Sequence, residues 1–186
     1  MNYLRVDRPD EKHIRIRGVN PGLEMCLQEL PLILSKREEP RAQKRLFPNP
    51  TTADDAANQD WQEHVAPDLR HIFESAHETV VRDLVQMQVG PVRKQQKKGA
   101  EQSTKPTGKQ NKTLAQKQFT VIFPAEHLRA WMCAVNEARL ILGEIHGVTE
   151  EDMNTFGVLG NNEMRQAVLR IHLLGWLMEL LVEADA

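Results

Sequence analysis

The chain has 186 residues, of which 40% are hydrophobic, 27% charged and 5% aromatic, and its formal net charge is −2. This composition can bury a real core and excludes a chain that is disordered throughout. No apolar run approaches the roughly 18 residues that a membrane span needs. The N-terminal sequence MNYLRVDRPDEKH is too charged for a secretory signal. We therefore expect a soluble cytoplasmic protein that has no membrane partner.

The small net charge conceals a separation of charge along the sequence. Residues 90–117 hold eight of the 24 Lys and Arg residues but only one, Glu101, of the 26 acidic residues. Their net charge is +7, which leaves −9 for the rest of the chain. After its first three residues the segment has a single large aliphatic side chain, Leu114, too little apolar area to offset the entropy of ordering. We predict a disordered basic insert between two halves, 1–89 and 118–186, of one domain.

The first half begins with a short strand and a helix. Polar and apolar residues alternate over His13–Arg17, which predicts a strand. Apolar residues at helical spacing predict a helix over Leu23–Ser35, which Pro31 should kink or end. Residues 36–55 are charged and rich in proline, and they are predicted to be a connection anchored by Leu46 and Phe47.

A second helical segment completes the first half. Asp54 or Asp55 is suited to cap a helix that starts near Ala56. Pro67 should break or restart this helix, which then continues to about Met87 with one apolar stripe. The stripe is what we expect the rest of the fold to cover.

The second half repeats the order of strand and helix. Residues 119–123 form a β-rich run, and Pro124 suits the first turn of a helix that extends to about His146. Gly147 is a stop signal for that helix. Thr149 opens a capping-box sequence at the start of a short helix, and an Asn caps the last helix, which runs to about 184. The fold class predicted is mainly α: a compact bundle of about five helices with a minor two-stranded β element.

Several short stretches, taken in order, resemble the DUF2017 family of bacterial proteins. The resemblance rests on Trp131, NEARLILG at 136–143, GVTEED at 147–152, GWLMELLVE at 175–183 and RLFP at 45–48. The long basic insert and the polar residues 49–52 depart from the family pattern. The resemblance implies no chemistry, because the family has no established function. In some bacteria such genes lie near the gene for the adaptor that feeds N-degron substrates to the Clp protease, which implies a role in regulated proteolysis.

One arginine lies in an unexpected place on its predicted helix. At about 100° per residue, Arg139 falls within the apolar arc, about 20° from Leu128, with Asn136 at the edge. A charge there must be paired or must reach water. The last helix is apolar almost all round, as helices in bundle centres or oligomer interfaces are, and its polar stripe contains Glu179 and Glu183. We expect Asn136, Arg139, Glu179 and Glu183 to form a buried polar cluster, which is either a structural ion pair or an anchor for a small anion. The alternative is that the stripe with Glu179 and Glu183 simply faces water and that Arg139 reaches water along its own side chain.

The tryptophans and cysteines divide into core and surface candidates. Trp131 and Trp176 lie in apolar helical sequences and are predicted to belong to the core. Trp61 lies in a polar segment and is a candidate interface anchor. Cys26 and Cys133 are predicted to be free, buried thiols.

Signatures of catalysis and of metal binding are absent from the sequence. It has no P-loop, no GxGxxG after a strand, no GxSxG and no HExxH. Glu74 and His77 have the Glu-x-x-His spacing of di-iron proteins, but the second such motif on another helix is missing. We therefore predict no catalytic residue, no metal site and no cofactor.

These observations favour a non-catalytic interaction or regulatory protein, linked through its family resemblance to regulated proteolysis, with a protein partner or a second copy docking on helix faces. One alternative is a ligand-binding bundle or small enzyme centred on Arg139 and a carboxylate of the last helix. Another is weak nucleic-acid binding through residues 90–117, whose charges attract phosphate but which lack aromatic residues for stacking.

Overall fold

A computed structural model of the chain describes residues 3–86, 88–90, 118–155 and 161–186. Nearly all of the predicted disordered insert, 90–117, lies outside these ranges. Four strands and seven α-helices fall within them. The strands are β1 (Arg5–Asp10), β2 (His13–Val19), β3 (Gln88–Gly90) and β4 (Gln118–Pro124). The helices are α1 (Pro21–Ser35), α2 (Pro40–Leu46), α3 (Asp55–His64), α4 (Ala66–Val85), α5 (Leu128–His146), α6 (Glu150–Asn154) and α7 (Asn162–Asp185).

The strands form one antiparallel sheet with the order β1-β2-β4-β3. Its central pair, β2 and β4, joins the two halves of the sequence, with Ile14 opposite Phe123 and Ile16 opposite Val121. These four side chains are buried against the helices, and alternate residues on the other side of the sheet are more exposed, as expected for a sheet covered on one face. The predicted strands are confirmed, but the expected two-stranded element is wrong, because the polar β1 and the short β3 extend the sheet at both edges.

A glycine sets the geometry at one end of this sheet. Gly18 has a φ of 72°, and a Cβ atom built on it would lie 2.1 Å from the carbonyl oxygen of Tyr3. The pairing of β2 with β4 shifts register between Ile16 and Val19. A residue without a side chain is therefore required where β2 bends against the segment before β1.

The helix α1 starts two residues earlier than the sequence predicts and ends at Ser35, as predicted. The side chain of Asn20 accepts a hydrogen bond of 2.8 Å from the backbone N–H of Leu23, which caps the helix. Of the two effects predicted for Pro31, a kink or an end, the end does not occur, because the helix continues past it to Ser35. A short 3₁₀ helix at Lys36–Glu38 and then α2 follow, where a connection without regular structure was expected.

The helices α3 and α4 have the arrangement that the sequence predicts. The carboxylate of Asp54 caps α3 by accepting a hydrogen bond of 3.0 Å from the N–H of Ala57. The helical segment is interrupted between His64 and Ala66, next to Pro67. The apolar stripe of α4 packs into the fold through Ala76, Val80 and Leu84, among others.

The centre of the molecule is α5, which packs against α1, α2, α4 and α7. Trp131 is fully buried on it and stacks on Phe123 of the sheet, with ring centroids 4.7 Å apart. Gly147 ends α5 with a φ of 62°, and Thr149 and Asp152 form a complete capping box at α6. The seven helices exceed the expected five or so, partly because α2 lies in the charged connection. No helix in the described ranges is long and apolar enough to cross a membrane.

Candidate functional site

One side of α7 leaves large apolar side chains uncovered. Leu169 is 54% exposed and Trp176 is 40% exposed, while Leu173 and Leu180 are half-buried and pack against the core with their inner parts. At about 100° per residue these four residues fall within an arc of about 60°. We call them the outer α7 face. Its exposure follows from the helix being apolar almost all round while α5 and α1 cover only part of its circumference.

The position of Trp176 corrects a sequence prediction. Both Trp131 and Trp176 were expected in the core, but only Trp131 is buried there. A helix that is apolar on nearly every side does not reveal which side its neighbours will cover. Large apolar groups left exposed on one stripe mark an interaction surface more often than scattered ones do.

Charged residues of opposite sign lie at the two ends of the outer α7 face. Arg165 is exposed one turn before Leu169, and Glu179 and Glu183 are exposed at the C-terminal end. None of these three side chains forms an ion pair with another residue of the described ranges. Beside the N-terminal end a surface cavity of about 340 Å³ is lined by Asn162, Arg165, Gln166 and Leu169. The face therefore has an apolar centre, a cationic end and an anionic end.

The predicted polar cluster around Arg139 is not buried. Asn136, Glu179 and Glu183 are exposed, and Arg139 itself is half-buried. Its guanidinium lies over Gly175, about 3.5 Å from where a Cβ atom would be, and its Nε is buried without a hydrogen-bond partner among the described residues. No carboxylate of the described ranges lies within ion-pair distance of it.

The reason for this correction is the position of the buried surface of α5. The surface that neighbouring helices cover is displaced from the apolar arc: it extends from Leu128 to the fully buried Glu137, about 180° away on the side opposite to Arg139. Arg139 is consequently at the edge of the covered surface. The polar stripe of α7, which was expected to supply its partner, faces outward. A role of Arg139 as a ligand anchor stays a prediction.

Arg37 and Glu137 form a buried ion pair that the sequence did not predict. Their side chains are 7% and 0% exposed, and they make two hydrogen bonds, from Nε to Oε1 at 2.5 Å and from Nη2 to Oε2 at 3.1 Å. The Nη2 group also donates to the carbonyl oxygen of Phe73 at 3.1 Å. Burial raises the pKa of Glu137, while the hydrogen bonds from Arg37 act in the opposite direction. The pair fastens the segment after α1 to α4 and α5.

No sequence signal indicated this pair. Arg37 belongs to the charged run KREEP, which is typical of a solvated loop, and Glu137 lies opposite the apolar arc of α5. The two residues are 100 positions apart. Spacing rules detect ion pairs within a helix but not those between distant segments.

A second buried network joins α4 to the start of α5. The carboxylate of Asp83 accepts a hydrogen bond of 2.9 Å from Nε1 of Trp131 and lies 3.0 Å from Nδ1 of His127. A buried carboxylate that holds a histidine through Nδ1 is also found in general-base catalysis. Here one carboxylate oxygen is shared with a fully buried indole, and the network satisfies polar groups inside the core. Asp83 lies on the apolar stripe of α4, three residues after Val80. A carboxylate on an apolar stripe indicates a buried polar contact, and this sequence signal was overlooked.

A small polar-rimmed pocket lies between α1, α5 and α7. Its volume is about 140 Å³, and its rim includes Lys36, His146 and the ion pair between Glu29 and Arg170, whose atoms are 2.6 Å apart. Burial is the main cause that lowers the pKa of His146, and the charge of Lys36 adds to it. A pocket of this volume holds several water molecules or one very small molecule.

The remaining candidates are Trp61 and the cysteines. Trp61 is half-buried and packs against the core, and its role as an interface anchor stays a prediction. Cys26 is buried and Cys133 is half-buried, and both are free thiols. Burial raises the pKa of each to about 11, so neither is a thiolate near neutral pH. No group of three or more His, Cys, Asp or Glu side chains in the described ranges could hold a metal ion.

Comparison with known proteins identifies the family of the chain. The family model described as "Domain of unknown function (DUF2017)" matches residues 19–184. No curated protein and no solved structure matches the chain. Because the match extends over nearly the whole sequence, the chain belongs to the DUF2017 family.

Proposed function

We propose that the protein is a non-catalytic interaction protein that binds an apolar helix of a protein partner along the outer α7 face. The observation that carries this proposal is the exposure of Trp176 and Leu169 on one helical stripe. Tryptophan is among the residues that contribute most to binding energy in protein interfaces. The face offers two exposed apolar anchors above two half-buried leucines.

The spacing of the face favours a helical partner. Leu169, Leu173, Trp176 and Leu180 follow one another at intervals of four, three and four residues. This is the spacing with which helices pack against each other through knobs and holes, and with which amphipathic helices are recognised. The opposite charges at the two ends would orient the partner.

The family also suggests the biological setting of this interaction. The gene neighbourhood of its members makes regulated proteolysis the first setting to test, with proteins of the Clp machinery as the first partners. This part of the proposal rests on association and not on the geometry of the face.

A capture experiment with matched variants tests the proposal. Tagged wild type, Trp176→Ala and Val182→Ala are used to capture proteins from the native cell, with washes at high salt. Val182 is the control because it is 50% exposed on the same helix but points about 140° away from Leu169. We expect a stoichiometric, salt-resistant partner with wild type and Val182→Ala, and its loss with Trp176→Ala. A partner held equally well by all three proteins contradicts docking at this face.

A second candidate function is the binding of a small anion at Arg139, favoured by the buried Nε that has no acceptor. Buried donors without a partner are rare, and a ligand is one way to satisfy them. Thermal unfolding in the presence of inorganic phosphate or acetate tests this function. We expect stabilisation of wild type and none of Arg139→Met if it is correct, and equal behaviour of both proteins if it is wrong.

A further inference from the structure

We propose that the partner on the outer α7 face is a second copy of this chain, bound antiparallel about a two-fold axis. The inference rests on the proposed function, since it names the occupant of the same face. The antiparallel arrangement is isologous, so both copies use one patch and the assembly closes as a dimer.

The outer α7 face of one copy is complementary to the same face of a second copy that runs in the opposite direction. When two α7 helices lie antiparallel with Leu173 of one copy opposite Trp176 of the other, Leu169 comes opposite Leu180. One turn further, Gln166 comes opposite Glu183. Apolar residues therefore meet apolar residues over the centre, and polar residues meet at both ends. The apolar part runs from Leu169 to Leu180, a rise of about 16 Å at 1.5 Å per residue.

The charges select the antiparallel orientation. In this register Arg165 of one copy lies about one residue, or about 1.5 Å along the axis, from the level of Glu183 of the other. Both side chains lie on the same flank of the stripe, and residues on one flank meet their own counterparts when helices pair antiparallel. Two such contacts form because of the two-fold axis. A parallel pair in register would instead hold both Arg165 side chains at one end and both Glu183 side chains at the other, so no Arg165 would have a Glu183 within reach.

These charged side chains are free to make the contacts. Arg165, Glu179 and Glu183 are exposed and form no ion pair within the described part of the chain.

The start of α1 borders the outer α7 face, because Cδ1 of Leu173 lies 3.3 Å from the position of a Cβ atom on Gly22. Met25 on the next turn of α1 is also exposed, by 54%.

Charge reversal tests the inference on the full-length protein. Sedimentation equilibrium over a range of concentrations is measured for wild type, Arg165→Glu, Glu183→Arg and the double variant. We expect a reversible dimer of wild type, a dissociation constant at least tenfold higher for each single variant, and recovery to within about threefold in the double variant. Trp176→Ala should be monomeric, and Val182→Ala should match wild type. Circular dichroism and thermal unfolding of each variant establish that it is folded.

The possible failures of the two proposals are distinguishable. A wild type that remains monomeric at about 100 µM, or a double variant that does not recover, overturns the second copy as the occupant. If Trp176→Ala nevertheless loses a different captured protein, the proposed function stands with that protein as partner. If Trp176→Ala weakens neither the dimer nor the capture of a partner, both proposals are overturned. Only a self-pairing helix regains binding when both charges are reversed together, because an unrelated partner would meet two wrong charges.

Discussion

At the scale of single residues, the pair formed by Arg37 and Glu137 shows how a charged group is accommodated in this core. Both side chains leave water almost completely, and each is compensated by the other through two hydrogen bonds. A further N–H group of Arg37, on Nη2, donates to the carbonyl oxygen of Phe73. Removal of either partner would leave the other charge buried without compensation, whereas removal of both would leave only a change in shape.

Three variants test whether Arg37 and Glu137 act as a pair. We expect Arg37→Met and Glu137→Leu each to lower the free energy of unfolding by about 3–5 kcal/mol. The double variant should lose markedly less than the sum of the two, because no uncompensated charge remains. Unfolding by urea, followed by circular dichroism, measures all three. Additive losses would show that the two side chains do not act as a pair.

A second prediction concerns the two tryptophans outside the core. Trp61 packs against the core whereas Trp176 is 40% exposed. Trp61→Ala should therefore cost about 1–3 kcal/mol of stability, less than the roughly 3–5 kcal/mol of a fully buried tryptophan, and Trp176→Ala should cost less than Trp61→Ala. Thermal and urea unfolding of both variants test this order. If Trp61→Ala is as stable as wild type but loses a partner, Trp61 is an interface anchor instead.

The role of a single residue could be predicted from the sequence where its partner is close to it along the chain. The caps at Asp54 and Thr149 could be predicted because the partner of each side chain lies three residues away. Glu137 could not be predicted, since its burial depends on Arg37 from a distant segment. Arg139 was placed in the wrong environment because the surface of α5 that other helices cover is displaced from its apolar arc toward Glu137.

At the scale of secondary-structure elements, two glycines at the C-terminal end of α5 should respond differently to substitution by alanine. Gly143 lies in the helix with no atom within 4 Å of where a Cβ would be, while Gly147 ends the helix with a φ of 62°. We expect Gly143→Ala to raise the free energy of unfolding by up to about 1 kcal/mol, because alanine loses less entropy in a helix. Gly147→Ala should lower it by roughly 1 kcal/mol, because a side chain is strained at this φ. Opposite shifts of the melting temperature are the expected result, and shifts of the same sign would contradict it.

The elements also show what periodicity can and cannot reveal. The strands at 13–17 and 119–123 and the helices flanking Gly147 follow from local patterns. In contrast α2 was missed because its sequence, PRAQKRL, is mostly charged and polar, and it is buried on one side only through Ala42 and Leu46. The exposed side of α7 was only partly predictable for the opposite reason: the helix is apolar almost all round, and its narrow polar stripe does not show that the exposed surface extends over Leu169 and Trp176.

At the scale of the whole molecule, the histidines set how stability responds to moderate acid. Burial and the charge of Arg37 lower the pKa of His77 below its ordinary value of 6.5, with Glu78 opposing. Burial, Lys36 and Arg170 lower that of His146, with Glu163 and Glu39 opposing. Between the ordinary and the lowered pKa values the unfolded chain binds more protons than the folded chain. The contribution of both residues is therefore fully present above about pH 6.5 and is lost as the pH falls through the lowered values.

Carboxylates act in a separate and more acidic range. Hydrogen bonds from Arg15 lower the pKa of Asp7, and those from Thr149 lower the pKa of Asp152, in both cases from an ordinary value of 3.8. Their contributions are present above that value and are lost only as the pH falls below it. A loss of stability between pH 7 and pH 5 can thus be assigned to histidines rather than to these acids.

This separation gives a prediction for the protein as a whole. We expect the free energy of unfolding to decrease as the pH falls from 7 to 5, and the double variant His77→Gln, His146→Gln to show a smaller decrease over the same interval. His71→Gln is the control, since His71 is exposed on α4, and it should retain the slope of wild type. Urea unfolding at several pH values measures the slopes. A double variant with the wild-type slope would mean that other groups titrate in this range, whereas a smaller slope would show that burial between helices holds these two imidazoles neutral.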